Sequence, residues 1–139
     1  MGYQKQVTLE DVVLYNMPGR VEDNGTLTPI EGKELPFSIE RVFYINGVPE
    51  GDIRGCHAHF RTEQLLLCLN GTVDVICKDG KNKKRYTLDS PQKGLYIPAM
   101  IWDEQIYGKD AVLVSLCSTP YLASDYISNY DEYTRLINR

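Results

Sequence analysis

Apolar residues run through this chain in short stretches rich in β-branched and aromatic side chains, with proline or glycine cutting between them at close intervals. Such punctuation predicts an all-β sandwich or barrel. Strand-like runs cover residues 27–30, 37–45, 63–68, 72–77, 84–88, 94–97, 101–107 and 111–117. Short strands in that number fit a double-sheet jelly roll. Asn70-Gly71 and Asp79-Gly80 each divide two such runs, and both dipeptides accept the positive φ of tight turns, which predicts two antiparallel hairpins in succession. After Cys117 the pattern changes. Tyr126, Ile127, Tyr130, Tyr133, Leu136 and Ile137 recur at three- and four-residue spacing behind Ser124-Asp125, which resembles an N-cap, so a short C-terminal helix is expected.

A length of 139 residues suits one domain spanning 1–139. Hydrophobic residues at 42% and charged residues at 24% lie close to ordinary globular usage. The net charge of -4 argues against broad binding to nucleic acid or an anionic membrane, and an anionic ligand would need a local cluster of arginines. The basic segment Lys78-Asp79-Gly80-Lys81-Asn82-Lys83-Lys84-Arg85 reads as a solvated hairpin tip. The start of the chain has no continuous apolar stretch, and no run approaches the roughly 20 apolar residues of a membrane span, so a cytoplasmic protein is expected. Cys56, Cys68, Cys77 and Cys117 are scattered without CxxC spacing and read as reduced thiols. Cys68 and Cys117 fall in apolar runs as small core residues, whereas Cys56 lies beside His57.

Both histidines of the chain fall within Arg54-Gly55-Cys56-His57-Ala58-His59-Phe60-Arg61-Thr62-Glu63-Gln64. If His57 and His59 occupy a strand, the two-residue period sends both to one face. Two imidazoles side by side in a barrel suit proton transfer at neutral pH, and imidazole is also a common metal ligand. His57-x-His59-x₃-Glu63 followed by Gly71 resembles the first motif of the cupins, small β-barrels of jelly-roll type. Gly94-Leu95-Tyr96-Ile97-Pro98 supplies the glycine and proline of the second motif, but no histidine follows it. Asp103 or Glu63 as a carboxylate ligand beside the two histidines keeps a metal-dependent oxygenase open. A pair without a third histidine can instead act as acid and base.

The ordered set Glu22-Asp23-Asn24-Gly25-Thr26-Leu27, Pro36 to Ile45, Arg54-Gly55-Cys56-His57-Ala58-His59, Glu63-Gln64, Leu69-Asn70-Gly71, Leu88-Asp89-Ser90-Pro91, Gly94 to Pro98 and Ser124-Asp125-Tyr126-Ile127 resembles the sugar-nucleotide 3,4-ketoisomerases, over about residues 20–133. The resemblance implies a cupin-type jelly-roll barrel without metal or cofactor, a homodimer, acting on dTDP-4-keto-6-deoxyglucose. It implies movement of the keto group from C4 to C3 on the path to 3-amino-3,6-dideoxy sugars. It also implies that His57 is the proton acceptor and that His59 shuttles or supplies a proton at the adjacent carbon. Arg41 and Arg54 are candidates to offset the diphosphate, since bidentate geometry favours arginine. Tyr44 and Trp102 are candidates to border the sugar or base. Asn24 and Asp103 depart from the family pattern at positions expected beside the reacting sugar, so the C4 configuration of the product stays open. An epimerase of the same substrate and a non-catalytic sugar-nucleotide-binding module are the remaining alternatives.

Overall fold

The computed structural model describes residues 6–137. Residues 1–5 of the segment read as lacking a continuous apolar stretch lie outside the described residues. Among the described residues twelve strands and one α-helix follow one another, with three single 3-10 turns before and between them: β1 (Val13–Asn16), β2 (Arg20–Glu22), β3 (Gly25–Leu27), β4 (Arg41–Ile45), β5 (Ile53–His59), β6 (Gln64–Asn70), β7 (Val73–Lys78), β8 (Lys83–Leu88), β9 (Lys93–Ile97), β10 (Trp102–Tyr107), β11 (Val112–Cys117), β12 (Tyr126–Ile127) and α1 (Tyr130–Ile137). One sheet has the order β1-β9-β6-β11-β4 and the other β12-β5-β10-β7-β8, with every pairing antiparallel. This is the double-sheet jelly roll expected from the punctuation.

Alternation along the strands sorts three apolar clusters. Leu66 and Cys68 of β6, Val73 and Val75 of β7, Leu88, Leu95 and Leu113 fill the space between the sheets. Leu65 and Leu67, one residue out of phase, face the outside of the first sheet, where Met17, Phe37 and partly buried Ile30, Leu35 and Ile39 of the long 17–39 connection cover them. Ala58 and Trp102 face the outside of the second sheet and meet Ile127, Tyr133 and Ile137. Full burial of each large aliphatic side chain is worth about 1.5–3 kcal/mol, so both outer faces need their covers.

Asn70-Gly71 does not close a hairpin. Gly71 has the left-handed φ of 72° that the turn chemistry predicts, but β6 pairs with β9 and β11 while β7 pairs with β8 and β10. The turn therefore carries the chain from one sheet to the other. Asp79-Gly80 closes the expected β7–β8 hairpin, with Asp79 Oδ1 accepting from the backbone of Lys81 and Asn82. Of the runs 27–30 and 37–45, only Leu27 and residues from Arg41 onward are strand; Ile30 and Phe37 pack sideways on the outer face instead. The strand pattern overlooked β1, β2, β12 and the histidine strand β5; β2 and β12 are only three and two residues long, and β5 entered only as the condition on which His57 and His59 share a face.

The C-terminal helix is shorter than its apolar spacing suggests. Tyr126 and Ile127 pair with His59 and Ala58 as β12, and α1 begins at Tyr130. Its N-terminus is held by Asn129, whose side-chain oxygen accepts from Glu132 N. Ser124-Asp125 is not the cap of this helix. Among the described residues no helix is long and apolar enough to cross a membrane.

Candidate active site

Ala58 is buried beneath α1, so the strand period turns its neighbours His57 and His59 into the barrel. Their rings stand edge to face with centroids 4.9 Å apart. Tyr126 of β12 completes the group, 5.1 Å from His57 and 4.4 Å from His59. The histidine strand carries a bulge: Gly55 and Cys56 have φ of 82° and 58°, and the β5–β10 register slips where Asp103 faces His57 and Glu104 faces Gly55. A side chain at position 55 would place its Cβ 3.0 Å from Asp103 Oδ1 and 3.3 Å from the Asp103 carbonyl oxygen, which reserves the position for glycine. The bulge thus brings the Asp103 carboxyl up against the histidine strand. Burial pushes the exposed Cys56 thiol up in pKa, with Glu104 and Asp103 adding to it, so it is not a thiolate nucleophile at neutral pH.

His59 is almost fully buried, and its Nδ1 lies 3.2 Å from Asp125 Oδ2. The same oxygen accepts from the backbone N–H and the hydroxyl of Thr62, while Oδ1 accepts from Arg61 N. Burial alone would raise the Asp125 carboxyl, but these hydrogen bonds outweigh it and hold the group below the usual carboxylate range. The residue that looked like a helix cap is therefore an ionised, four-times-bonded carboxylate beneath the second histidine. It assigns the proton of neutral His59 to Nδ1 and leaves Nε2, which has no protein partner, as an open acceptor. Burial first, and then the neighbouring His57, push the His59 pKa down to about 4 against the pull of Asp125.

Asp103 is wholly buried on the strand facing His57. Its Oδ1 accepts from Gln105 Nε2 at 3.0 Å, and Gln105 Oε1 accepts from the Tyr107 hydroxyl at 2.7 Å, so three inward side chains of β10 form one relay. Oδ2 has no protein partner. Burial raises the Asp103 pKa although His57 and the Gln105 hydrogen bond oppose it, which favours the neutral carboxyl.

The remaining expected residues separate. Arg41 lies on the inner face of β4, half buried, with its guanidinium carbon 5.6 Å from the rings of both Phe43 and Tyr121. Its positive charge is felt at His59. Tyr44, the next but two on that strand, is 70% exposed on the outer face. Exposed Arg54 shares with Tyr44 a cleft of about 440 Å³ that does not include the histidines. Trp102 faces away from the barrel, packed on Tyr130 and Tyr133 with Nε1 donating to Glu104. Asn24 lies at the exposed tip of the β2–β3 hairpin, whose strands pair only with each other. Glu63, the first-motif carboxylate, is outside the barrel: the strand period sends Gln64 inward, and Glu63 accepts from Tyr96 OH at 2.5 Å. The ligand set His57, His59 and Glu63 is thereby broken, and among the described residues no three His, Cys, Asp or Glu side chains converge to hold a metal ion.

Sequence reasoning missed Asp125, Gln64, Tyr126 and Arg61. Arg61 lines a cleft of about 360 Å³ with Tyr121, Leu122 and Asp125 beside the His59 site. Asp125 and Tyr126 stand in the Ser124-Asp125-Tyr126-Ile127 segment, and its place among the ordered motifs was the available signal.

Residues 10–138 match the family described as FdtA: WxcM-like, C-terminal. The chain is 42% identical over 119 residues to a TDP-4-oxo-6-deoxy-alpha-D-glucose-3,4-oxoisomerase of Aneurinibacillus thermoaerophilus, covering 84% of this chain and 86% of that one. Its structure is similar to the crystal structure of QdtA, a sugar 3,4-ketoisomerase of Thermoanaerobacterium thermosaccharolyticum in complex with TDP, with a TM-score of 0.90, 39% identity and coverage of 94% and 97% of the two chains. A His-to-Asn variant of that enzyme, in complex with TDP-4-keto-6-deoxyglucose, matches with a TM-score of 0.90, 38% identity and coverage of 94% and 96%.

Proposed function

The chain belongs to the FdtA, WxcM-like C-terminal family, and from that membership we propose that it is an isomerase that moves the keto group of a dTDP-linked 4-keto-6-deoxyhexose from C4 to C3. The observation that carries this reading is the pair of inward imidazoles 4.9 Å apart, one of them backed by a buried carboxylate. The C4 carbonyl acidifies the C3 hydrogen. His57 removes it as a proton, and the C–H electron pair becomes the C3–C4 double bond of an enediolate whose charge rests on O4. Transfer of the O3 hydroxyl proton to O4 and delivery of a proton to C4 leave the carbonyl at C3, with no net gain or loss of atoms. His59 takes part as the relay: its Nε2 is open, and the Asp125 carboxylate stabilises the imidazolium formed when a proton arrives.

Arg41, beside His59, is assigned to the diphosphate, and Arg54 with Tyr44 to a more distant part of the nucleotide. Asp103 is assigned to the C4 side of the sugar because it faces His57. The chain works as a homodimer in the cytoplasm, a place that suits four free thiols. Support for the dimer comes from apolar surface left in water: Val21 is 81% exposed on the stand-off hairpin and Val42 57% on the edge strand β4. In the proposed dimer the hairpin with Asn24 is assigned to the contact with the second copy, since within one chain its strands pair only with each other. Light scattering is expected to give twice 15.9 kDa, and a monomer at micromolar concentration would contradict it.

Incubation with dTDP-4-keto-6-deoxyglucose, followed by NMR of the sugar, tests the whole reading: the carbonyl signal is expected to move from C4 to C3. His57→Asn is expected to abolish the change while leaving thermal unfolding nearly as it was, because a neutral amide keeps a hydrogen-bonding group but cannot act as the base. An unchanged sugar with wild-type protein that binds dTDP would favour the non-catalytic binding module instead.

A further inference from the structure

Arg41, Cys117 and Gln64 sit side by side on three neighbouring strands of the first sheet, Arg41 opposite Cys117 and Cys117 opposite Gln64. With strands about 4.8 Å apart, this row of inward side chains spans about 10 Å. It belongs to the polar end of the barrel that also holds His59, whose ring senses the Arg41 charge. Gln64 is 3% exposed. Its Nε2 donates to Ser115 Oγ at 3.1 Å, and Ser115 in turn contacts Cys117 Sγ at 3.4 Å. The amide is thus pinned from behind, while its Oε1 is buried without any protein partner. A buried amide oxygen left in this state is costly unless something supplies a donor. Among the described residues the other buried side-chain polar atoms without a hydrogen-bond partner are Arg41 Nε, His59 Nε2 and Asp103 Oδ2, all on inward-facing side chains of the same barrel.

We propose that Gln64 is a substrate-binding residue whose Oε1 accepts a hydrogen bond from a ring hydroxyl of the hexose, with Ser115 as the positioning residue that holds the amide in that orientation. The inference rests on the sugar-nucleotide reading and adds a recognition element in the sheet opposite the histidines. A carbonyl oxygen is an acceptor only, so the partner must be a donor. A sugar hydroxyl supplies one; the keto oxygen and the diphosphate do not. The contact is present before and after proton transfer, so it contributes to binding rather than to the chemical step.

The test compares two non-reacting ligands by calorimetry: dTDP, and a dTDP-linked 6-deoxyhexose with a hydroxyl in place of the keto group. Gln64→Leu is expected to weaken the sugar nucleotide at least tenfold while changing dTDP affinity less than twofold. With the keto substrate KM should rise by a similar factor and kcat stay within about threefold. Ser115→Ala keeps the amide but frees it, and is expected to show the same selectivity at about one third of the loss, with a native unfolding transition. Equal affinities of wild type and both variants for the sugar nucleotide would overturn the proposal, as would parallel losses for both ligands. A wild-type protein that binds neither thymidine nucleotide would overturn the sugar-nucleotide reading itself, and this inference with it.

Discussion

His59 and Asp125 are 66 positions apart in the chain, yet Nδ1 and Oδ2 meet at 3.2 Å with 4% and 6% of the side chains exposed. Asp125 spends its other acceptor capacity on Arg61 and Thr62, the residues that lead from the histidine strand into β6. The carboxylate therefore fixes both the turn after the histidines and the tautomer of the second one.

Asp125→Asn disturbs the tautomer and keeps only part of the turn. The amide oxygen at the Oδ1 position can still accept from Arg61 N, but the NH₂ at the Oδ2 position faces the Thr62 N–H and, meeting His59 Nδ1 as a donor, drives the ring proton to Nε2. The expected result is a kcat lower by about 10²–10⁴-fold, with dTDP affinity retained. Thr62→Val, which removes one donor but leaves the carboxylate, should cost far less. Imidazole nitrogen NMR reports the tautomer directly, and an Asp125→Asn enzyme with full kcat and the wild-type tautomer would refute the assignment.

Stability should fall on acidification through the histidine range. The native His59 pKa of about 4 lies below its ordinary value of 6.5, so between those pH values the unfolded chain binds a proton that the native state does not. The native state loses on the order of 3 kcal/mol relative to the unfolded chain as pH drops from about 6.5 to about 4. Asp125 acts in the next window, where its lowered pKa contributes stability above the usual carboxylate range that is lost as pH falls through it. Urea unfolding across pH 4–7 measures the slope. His59→Asn should flatten the upper part, and identical slopes in the two proteins would show that His59 titrates normally.

Turnover should survive exhaustive chelation. The first-motif carboxylate Glu63 is turned away from the histidines and bound to Tyr96. Dialysis against a chelator is expected to leave the rate of isomerisation unchanged. Loss of activity with recovery on iron, zinc or manganese would establish a metal enzyme.

Asp103→His combined with Asn24→Arg should alter the C4 configuration of the product more than the affinity for dTDP. Asp103 is held by Gln105, which is itself held by Tyr107, with one oxygen free beside the histidine pair, away from the Arg54 cleft. Product stereochemistry by NMR and dTDP titration provide the two measurements. An unchanged product with a large loss of dTDP affinity would place these residues at the nucleotide end.

Local rules carried much of this molecule. The two-residue period put His57 and His59 on one face, and the bulge beside Gly55 left that parity intact for both. The same period also constrains what was expected of β10: Trp102 and Asp103 are adjacent, so a regular strand sends one inward and the other out. Asp103 took the barrel and Trp102 the helix side. Glu63 and Gln64 divide in the same way at the start of β6.

Hydrophobic periodicity and glycine and proline spacing determined an antiparallel jelly roll, because they act within a few residues and reflect backbone preferences that no partner changes. The ordered motifs determined the family. Tertiary structure alone decided which sheet each strand joined and which polar residues met. Asn70-Gly71 has the conformation of a hairpin turn, yet the apolar faces of β6 and β7 are better buried in opposite sheets. Ser124-Asp125 ahead of periodic tyrosines has the local form of a helix cap. Only folding supplies the donors from Arg61, Thr62 and His59 that turn the aspartate inward, because hydrogen-bond partners more than 60 residues away leave no periodic mark on the sequence around it.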